Sequence, residues 1–143
     1  MKTLHPAHWA RTRGYANGIA ATGTYVAVAG QIGWNAQQQF ESDDLVDQMR
    51  QALANVIAVL AEAGAGPEHI VRMTWYLVDK GEYLARARDI GAAYRELMIG
   101  ANGHVHYPAM TAVQVAALIE DRAKVEIEVS AVVPPAEPAG GGA

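Results

Sequence analysis

The pattern of hydrophobic and polar positions along the chain predicts both strands and helices. Residues 70–78 and 125–133 alternate with period two, as half-buried strands do, whereas residues 46–60 and 84–98 repeat with helical spacing. The predicted buried faces of the two helices comprise Val46, Met49, Leu53, Val56, Ile57 and Leu60, and then Leu84, Ala87, Ile90, Tyr94, Leu97 and Met98. In the first of these strands we expect the buried side chains to be Val71, Met73, Trp75 and Leu77, and in the second Val125, Ile127, Val129, Ala131 and Val133.

Turn and capping residues divide these segments from one another. Ser42, followed by two aspartates, predicts the start of the first helix, and Gly64 predicts its end. Asp79 and Glu82 have the spacing of a capping box before the second helix. Residues 19–21 and 25–29 flank Gly23, which predicts a β-hairpin.

These elements predict an α/β (α+β) domain with the order β-β-α-β-α-β-β. A mixed sheet with two helices on one face follows, since crossovers of this length pack back onto their sheet. The other face, carrying Val113 and Val115 or Ala112 and Leu118, is too apolar to be left bare, which favours self-association. We expect one domain over residues 1–133 and a disordered tail at 134–143, which is rich in Pro, Gly and Ala.

Composition narrows the classes of function. The 143 residues include 11 basic and 15 acidic side chains, giving a formal net charge of −4 without a basic cluster, which disfavours nucleic acid as a partner. The absence of cysteine excludes a disulfide framework, a thiolate nucleophile and a cysteine-ligated metal. No apolar stretch is long enough to predict a signal peptide or a membrane span, so a cytoplasmic location is the default expectation.

Two pairs of side chains are candidates for chemistry. His104 and His106 share one side of an extended segment, but two imidazoles make an incomplete metal site, and local hydrogen bonding explains the pair as well as a binding role for His106 does. Glu126 and Glu128 share a strand face, as an acid/base pair or a solvated face would. The pattern alone leaves these alternatives open, and the expectation is that no metal is needed.

An ordered set of segments resembles the Rid (YjgF/L-PSP) family over residues 14–133. The matching segments are residues 28–32 (Val-Ala-Gly-Gln-Ile), 51–56 (Gln-Ala-Leu-Ala-Asn-Val), 63–64 (Ala-Gly), 70–79 (Ile-Val-Arg-Met-Thr-Trp-Tyr-Leu-Val-Asp), Tyr94, 107–109 (Tyr-Pro-Ala) and 125–128 (Val-Glu-Ile-Glu). The resemblance implies a chorismate-mutase-like fold and a homotrimer whose sheets form a central barrel with three clefts between subunits. It also implies a cofactor-free hydrolase that deaminates a small enamine or imine, for example one similar to 2-aminomuconate.

The resemblance also assigns site residues. It implies that Glu126 positions water or transfers a proton, with Gln31 beside it as the second catalytic residue, and that backbone groups near residue 112 help to orient that water. The substrate-binding residues that we predict on this basis are Tyr15, Gly30, Trp34, Gly91, His106, Met110 and Ala112. No metal and no cofactor are expected.

The chain departs from the deaminase pattern where the substrate carboxylate is held. The family motif is Pro-Ala-Arg, but this chain has Met110 in place of the arginine, and a thioether cannot replace five N–H donors. Gly91 stands where asparagine is usual, and Ala112 where cysteine is usual. Three readings follow: a hydrolase whose substrate is held by Arg11, Arg13 or His106; a trimeric small-ligand binder without catalysis; or a protein that uses its trimer surface to contact other proteins.

Overall fold

The computed structural model describes residues 1–136 and confirms a mixed α+β fold. The predicted tail at 134–143 therefore lies mostly outside the described residues. The helices are α1 (Leu45–Glu62), α2 (Lys80–Ala85) and α3 (Ala87–Leu97), with a short 3₁₀ turn at Pro67–His69. The strands are β1 (Lys2–Leu4), β2 (Gly18–Ala20), β3 (Thr24–Ile32), β4 (Ile70–Leu77), β5 (Ala109–Gln114) and β6 (Val125–Val133).

Four strands form the main sheet in the order β3-β6-β4-β5. The β4–β5 pair is parallel, and its crossover runs through α2 and α3, whereas β6 is antiparallel to both of its neighbours. β5 and β3 are consequently the two edges of this sheet within one chain.

The predicted hairpin around Gly23 is wrong. β2 pairs with β1 in a separate two-stranded sheet, and β3 pairs along its length with β6. The reason is that strand alternation does not specify a partner. β6 offers nine residues and places Val129 opposite the buried Val28, whereas β2 has three residues and little to bury.

Helix α1 begins two residues later than predicted, because Asp44 rather than Ser42 is its N-cap. The Asp44 carboxylate accepts a hydrogen bond from the Asp47 N–H, while the Ser42 hydroxyl accepts one from the N–H of Asp44. The helix ends as predicted, with Gly64 at a left-handed φ of 68°. Its predicted apolar face is buried except at Ile57, which is partly buried.

The second predicted helix is broken in two at Arg86, whose φ of −104° and ψ of 15° are not helical. Asp79 caps α2 as predicted by accepting from the Glu82 N–H, but the Glu82 carboxylate accepts from Lys124 Nζ. Because the break shifts the period, Leu84 is 59% exposed and Ala87 is also exposed, contrary to the prediction.

The predicted face of β4 holds for Met73, Trp75 and Leu77 but not at its start. Ile70 is fully buried in place of Val71, because a register irregularity between residues 70 and 72 shifts the alternation. In β6 the alternation is as predicted for the first four positions, with Val133 only partly buried.

The long helices cover one face of the sheet and bury the core there. Gln48, a buried polar residue of α1, donates to the carbonyl oxygens of Ser42 and Arg122 and accepts from the Lys124 N–H, which holds the start of β6 against the helix. Within residues 1–136 no helix packs on the opposite face, which we call the outer face. It carries Tyr25, Thr74, Tyr76, Glu126, Glu128 and Ser130. No helix in this range is both long and apolar enough to cross a bilayer.

Candidate functional site

A cavity of about 450 Å³ lies between α3 and the β4–β5 edge of the sheet. Pairing in register places Met110 beside Met73 and Ala112 beside Trp75, so both side chains of β5 point to the helix-covered face. The cavity is lined by Arg13, Gly14, Tyr15, Trp75, Tyr83, Ala87, Ile90, Gly91, Tyr94, Arg95, Tyr107, Met110 and Ala112.

Four of the predicted site residues come together in this cavity, namely Tyr15, Gly91, Met110 and Ala112. Tyr15 arrives there because the segment that carries it joins the sheet edge: the Ala16 N–H donates to the Pro108 carbonyl oxygen at 2.9 Å. Residues from the N-terminal segment, α3 and β5 therefore line one cavity, although they are far apart in sequence.

Aromatic rings make up much of the cavity lining. Tyr94 and Tyr107 are stacked with ring centroids 5.4 Å apart, and Trp75 meets the edge of Tyr83 at 6.3 Å. Burial raises the pKa of both Tyr83 and Tyr94, so these phenols stay protonated at neutral pH. The Tyr94 hydroxyl donates to the His106 carbonyl oxygen at 2.7 Å.

The charged side chains lining the cavity are Arg13 and Arg95, and the lining includes no carboxylate. Arg13 was one of three candidates for the missing anchor, and the other two, Arg11 and His106, are not in the lining. Sequence reasoning missed Arg95. The available signal was its spacing, since Arg95 lies four residues after Gly91 and therefore on the same face of a helix.

Glu126 lies on the outer face, away from this cavity. It pairs with Tyr76 on β4, and Glu128 pairs with Thr74, so both carboxylates share the face as predicted. A shallow groove there is lined by Tyr76, Val115, Ala117, Leu118, Ile119, Glu126 and Glu128. Among residues 1–136, the Glu126 carboxylate forms neither a hydrogen bond nor an ion pair.

Gly30 gives the Glu126 carboxylate its space. A Cβ at position 30 would lie 2.5 Å from Oε2 of Glu126, so any side chain there would force the Glu126 carboxylate to move. Gln31 follows directly, and its Nε2 donates to the Ala29 carbonyl oxygen at 3.0 Å. Thus Gly30 and Glu126 form a second group of predicted residues, and Gln31 is the next residue of β3 after Gly30.

The end of β3 is fixed by a side chain from α1. Asn55 Nδ2 donates to the carbonyl oxygens of Ile32 at 3.1 Å and Trp34 at 2.8 Å. The Trp34 ring packs against Phe40, with centroids 5.9 Å apart, and lies outside the cavity lining. Asn55 therefore supports the strand that carries Gly30 and Gln31.

His106 lies outside the cavity lining as well. The His106 Nε2 atom is 2.6 Å from the Ile70 carbonyl oxygen, and the His106 backbone N–H donates to the Met98 carbonyl oxygen. The backbone N–H of His104 donates to Oδ1 of Asn102, and the side chain of His104 is exposed. No group of three His, Asp or Glu side chains in the described range is arranged to hold a metal ion.

Comparison with known proteins gives a consistent match over this domain. The sequence profile of the family described as Endoribonuclease L-PSP matches residues 7–133. A RutC family protein of Pasteurella multocida is 34% identical over 125 residues, covering 81% of this chain and 92% of that protein. The 2-iminobutanoate/2-iminopropanoate deaminase of Salmonella typhimurium is 32% identical, covering 77% and 80%.

Solved structures show the same fold. A Rid-family protein of unknown function from Yersinia pestis, YyfB, matches with a TM-score of 0.79 at 28% identity, covering 92% of this chain and 98% of that one. TdcF of Escherichia coli, crystallised with bound serine, matches with a TM-score of 0.65 at 30% identity, covering 93% and 99%.

Proposed function

Because the chain belongs to the Rid family, also described as endoribonuclease L-PSP, we propose that it is a cofactor-free hydrolase that deaminates a small imine or enamine carboxylate. One observation carries this proposal: the predicted residues form two groups on opposite faces of the sheet, and each group is suited to one half of such a reaction. The cavity with Tyr15 and Gly91 binds the substrate, and Glu126 beside Gly30 handles water and protons.

These two groups act together only if different chains supply them. The sheet of one chain separates its cavity from its own Glu126, so the complete site lies between two subunits. The uncovered outer face, where Val113 is 40% exposed, supplies the apolar surface for that contact. The assembly proposed is a homotrimer, in which each cavity meets Glu126 of a neighbouring subunit.

The reaction balances with water as the second reactant. The water oxygen forms a bond to the imine carbon while the Glu126 carboxylate accepts one water proton, and the π electron pair of the C=N bond moves to nitrogen. Glu126 then gives that proton to the nitrogen, which produces a carbinolamine. The remaining proton, on the carbinolamine hydroxyl, passes through Glu126 to the same nitrogen, the hydroxyl oxygen forms the keto C=O bond, the C–N bond breaks, and ammonia leaves a keto acid. An imine carbon is already electrophilic, so orientation and one acid/base group suffice.

The names of the relatives support this class of reaction. They include an iminobutanoate/iminopropanoate deaminase, 32% identical, and TdcF of E. coli, named a putative reactive intermediate deaminase, 33% identical. TdcF with bound serine further indicates a ligand of amino-acid size. The acidic balance of this chain, with a net charge of −4, does not favour the RNA hydrolysis that the family description mentions.

The experiment is a panel of imino acids made in situ from amino acids by an amino-acid oxidase, with keto-acid release measured against the spontaneous rate. We expect acceleration for at least one imino acid, unchanged by a chelator. No acceleration across aliphatic, aromatic and dicarboxylic members of the panel would contradict a deaminase. If a panel member still binds stoichiometrically, that outcome favours the ligand-binding alternative, which the replacement of the family arginine by Met110 supports.

A further inference from the structure

Arg95 stands out among the cations of the cavity. It lies in the last turn of α3, and its side chain reaches back along the helix until Nη1 is 3.2 Å from the point where a Cβ of Gly91 would be. Long helical side chains run in this direction, toward the N-terminus of their helix. The absent side chain at Gly91 therefore leaves the space beside this guanidinium open.

No carboxylate of the described chain neutralises Arg95. The arginines that form ion pairs in residues 1–136 are Arg50, Arg86 and Arg122, each with an aspartate or glutamate. Arg95 instead lines a cavity that contains Arg13 as a second cation and no acidic side chain. A pair of cations in a concave site of a protein whose net charge is −4 concentrates anions at that site.

The remaining walls define the body of the ligand. Tyr15, Tyr83 and Tyr107 present accessible aromatic surface, with Met110 as an apolar neighbour, whereas Trp75, Tyr94 and Ile90 line the cavity but are almost wholly buried. Aromatic rings pack well against flat conjugated groups, and a guanidinium pairs bidentately with a carboxylate. An elongated polar ligand would leave these apolar walls unused.

We propose that Arg95, made accessible by Gly91, is the carboxylate-binding residue of this cavity, and that its ligands are planar conjugated or aromatic carboxylates. That such ligands are substrates rests on the proposed function, whereas the role of Arg95 in binding them is tested without measuring turnover. Arg95 binds the ligand carboxylate from the helix side of the cavity, whereas Met110 makes the strand side apolar. Arg95 is thus a specificity-determining residue.

The test compares a planar acid with its neutral amide by calorimetry, using cinnamate and cinnamamide as probes. We expect the wild-type chain to bind cinnamate more tightly than cinnamamide by about ten- to hundred-fold, the effect of a charge-assisted bidentate contact. Arg95→Gln should remove this preference by weakening cinnamate binding alone, and Arg95→Lys should restore part of it. Arg88→Gln is the matched control, since Arg88 is exposed on the same helix but does not line the cavity.

Several outcomes overturn the inference. Wild-type chain that does not bind cinnamate, or binds acid and amide equally, has no carboxylate anchor in this cavity. Equal losses in Arg95→Gln and Arg88→Gln would assign the preference to overall charge. An Arg95→Gln variant that loses trimer mass in light scattering, with its acid preference intact, would assign Arg95 to the contact between subunits. Imine hydrolysis without acid preference refutes only the role of Arg95, whereas acid preference without hydrolysis refutes only the proposed reaction.

Discussion

Met110 and Glu126 lie on opposite faces of the same four-stranded sheet. Met110 pairs with Met73 and faces the helices, whereas Glu126 pairs with Tyr76 and faces outward. Since side chains alternate between the two faces of a strand, no rotamer change can bring these two residues together within one chain. A site that uses both residues must be built between subunits.

Glu126 and Glu128 provide a matched pair for testing the catalytic carboxylate. Both lie on the outer face of β6, but only Glu126 sits against Gly30. We expect Glu126→Gln to abolish imine hydrolysis with little change in unfolding free energy, because the substitution keeps the shape of the side chain. Glu128→Gln should retain turnover. Equal turnover in the two variants would show that Glu126 is only a solvated strand residue.

Met110 predicts weak activity on the smallest imino acids. Without a guanidinium on the strand side of the cavity, 2-iminopropionate should be hydrolysed slowly, and Met110→Arg should raise its kcat/KM by about ten- to hundred-fold. The measurement is keto-acid release from the imine of alanine. Wild-type rates equal to those of deaminases with an arginine at this position would refute the importance given to that contact.

Gly91 connects stability to ligand binding. In the interior of α3, Gly91→Ala should stabilise the chain by about 0.5–1 kcal/mol, because alanine loses less backbone entropy in a helix. The new Cβ would crowd Nη1 of Arg95 at 3.2 Å, so cinnamate binding should weaken while cinnamamide binding stays constant. Urea unfolding and calorimetry measure the two effects. Higher stability combined with stronger cinnamate binding would contradict the proposed position of Arg95.

The pH dependence of stability should reveal the Asp44 cap. Its pKa is lowered by the Arg86 guanidinium, 2.6 Å away, and by the Asp47 N–H. A carboxylate with a lowered pKa in the folded state stabilises the fold above its ordinary pKa, and this contribution is lost as the pH falls through the folded value.

Two variants separate the charge of Asp44 from its capping. Asp44→Asn keeps a capping oxygen and should cost no more than about 1 kcal/mol at pH 7, since the ion pair is partly exposed. That cost should shrink at acid pH, as the pH falls below the ordinary carboxyl pKa and through the lowered folded-state value. Asp44→Ala should cost about 1 kcal/mol more at neutral and at acid pH, because the cap is lost. An Asn variant that is equally destabilised at neutral and at acid pH would exclude the ion pair as the cause.

The hydrophobic period and the capping residues predicted most helices and strands, but not which strands pair with one another. The helix α1 and the strand β6 follow directly from their spacing, because each buries one continuous apolar face. Pairing of β3 with β6 joins residues about 100 positions apart, and a turn signal at Gly23 favours the nearer but shorter strand. The choice of a partner strand depends on the area buried in the whole sheet, which the local hydrophobic pattern does not reveal.

The candidate site was predictable in part for the same reason. Gly91, Met110 and Ala112 could be placed together through a resemblance to a family, yet their separation from Glu126 by the sheet depends on pairing register. The sequence did not single out Arg95, because basic residues are common in the last turn of a helix. Two structural features distinguish it: Gly91 lies beside its guanidinium, and the cavity lining contains no carboxylate.

The most direct test of the shared site is hydrolysis by mixed trimers. Glu126→Gln removes the carboxylate, and Gly91→Phe fills the cavity, so each variant alone should be inactive on the best imino acid of the panel. In a one-to-one mixture, unfolded and refolded together, the account predicts about one quarter of wild-type activity, since one ordered pair of neighbours in four combines an intact cavity with an intact carboxylate. A refolded mixture as inactive as its two parents would contradict a site built from two chains.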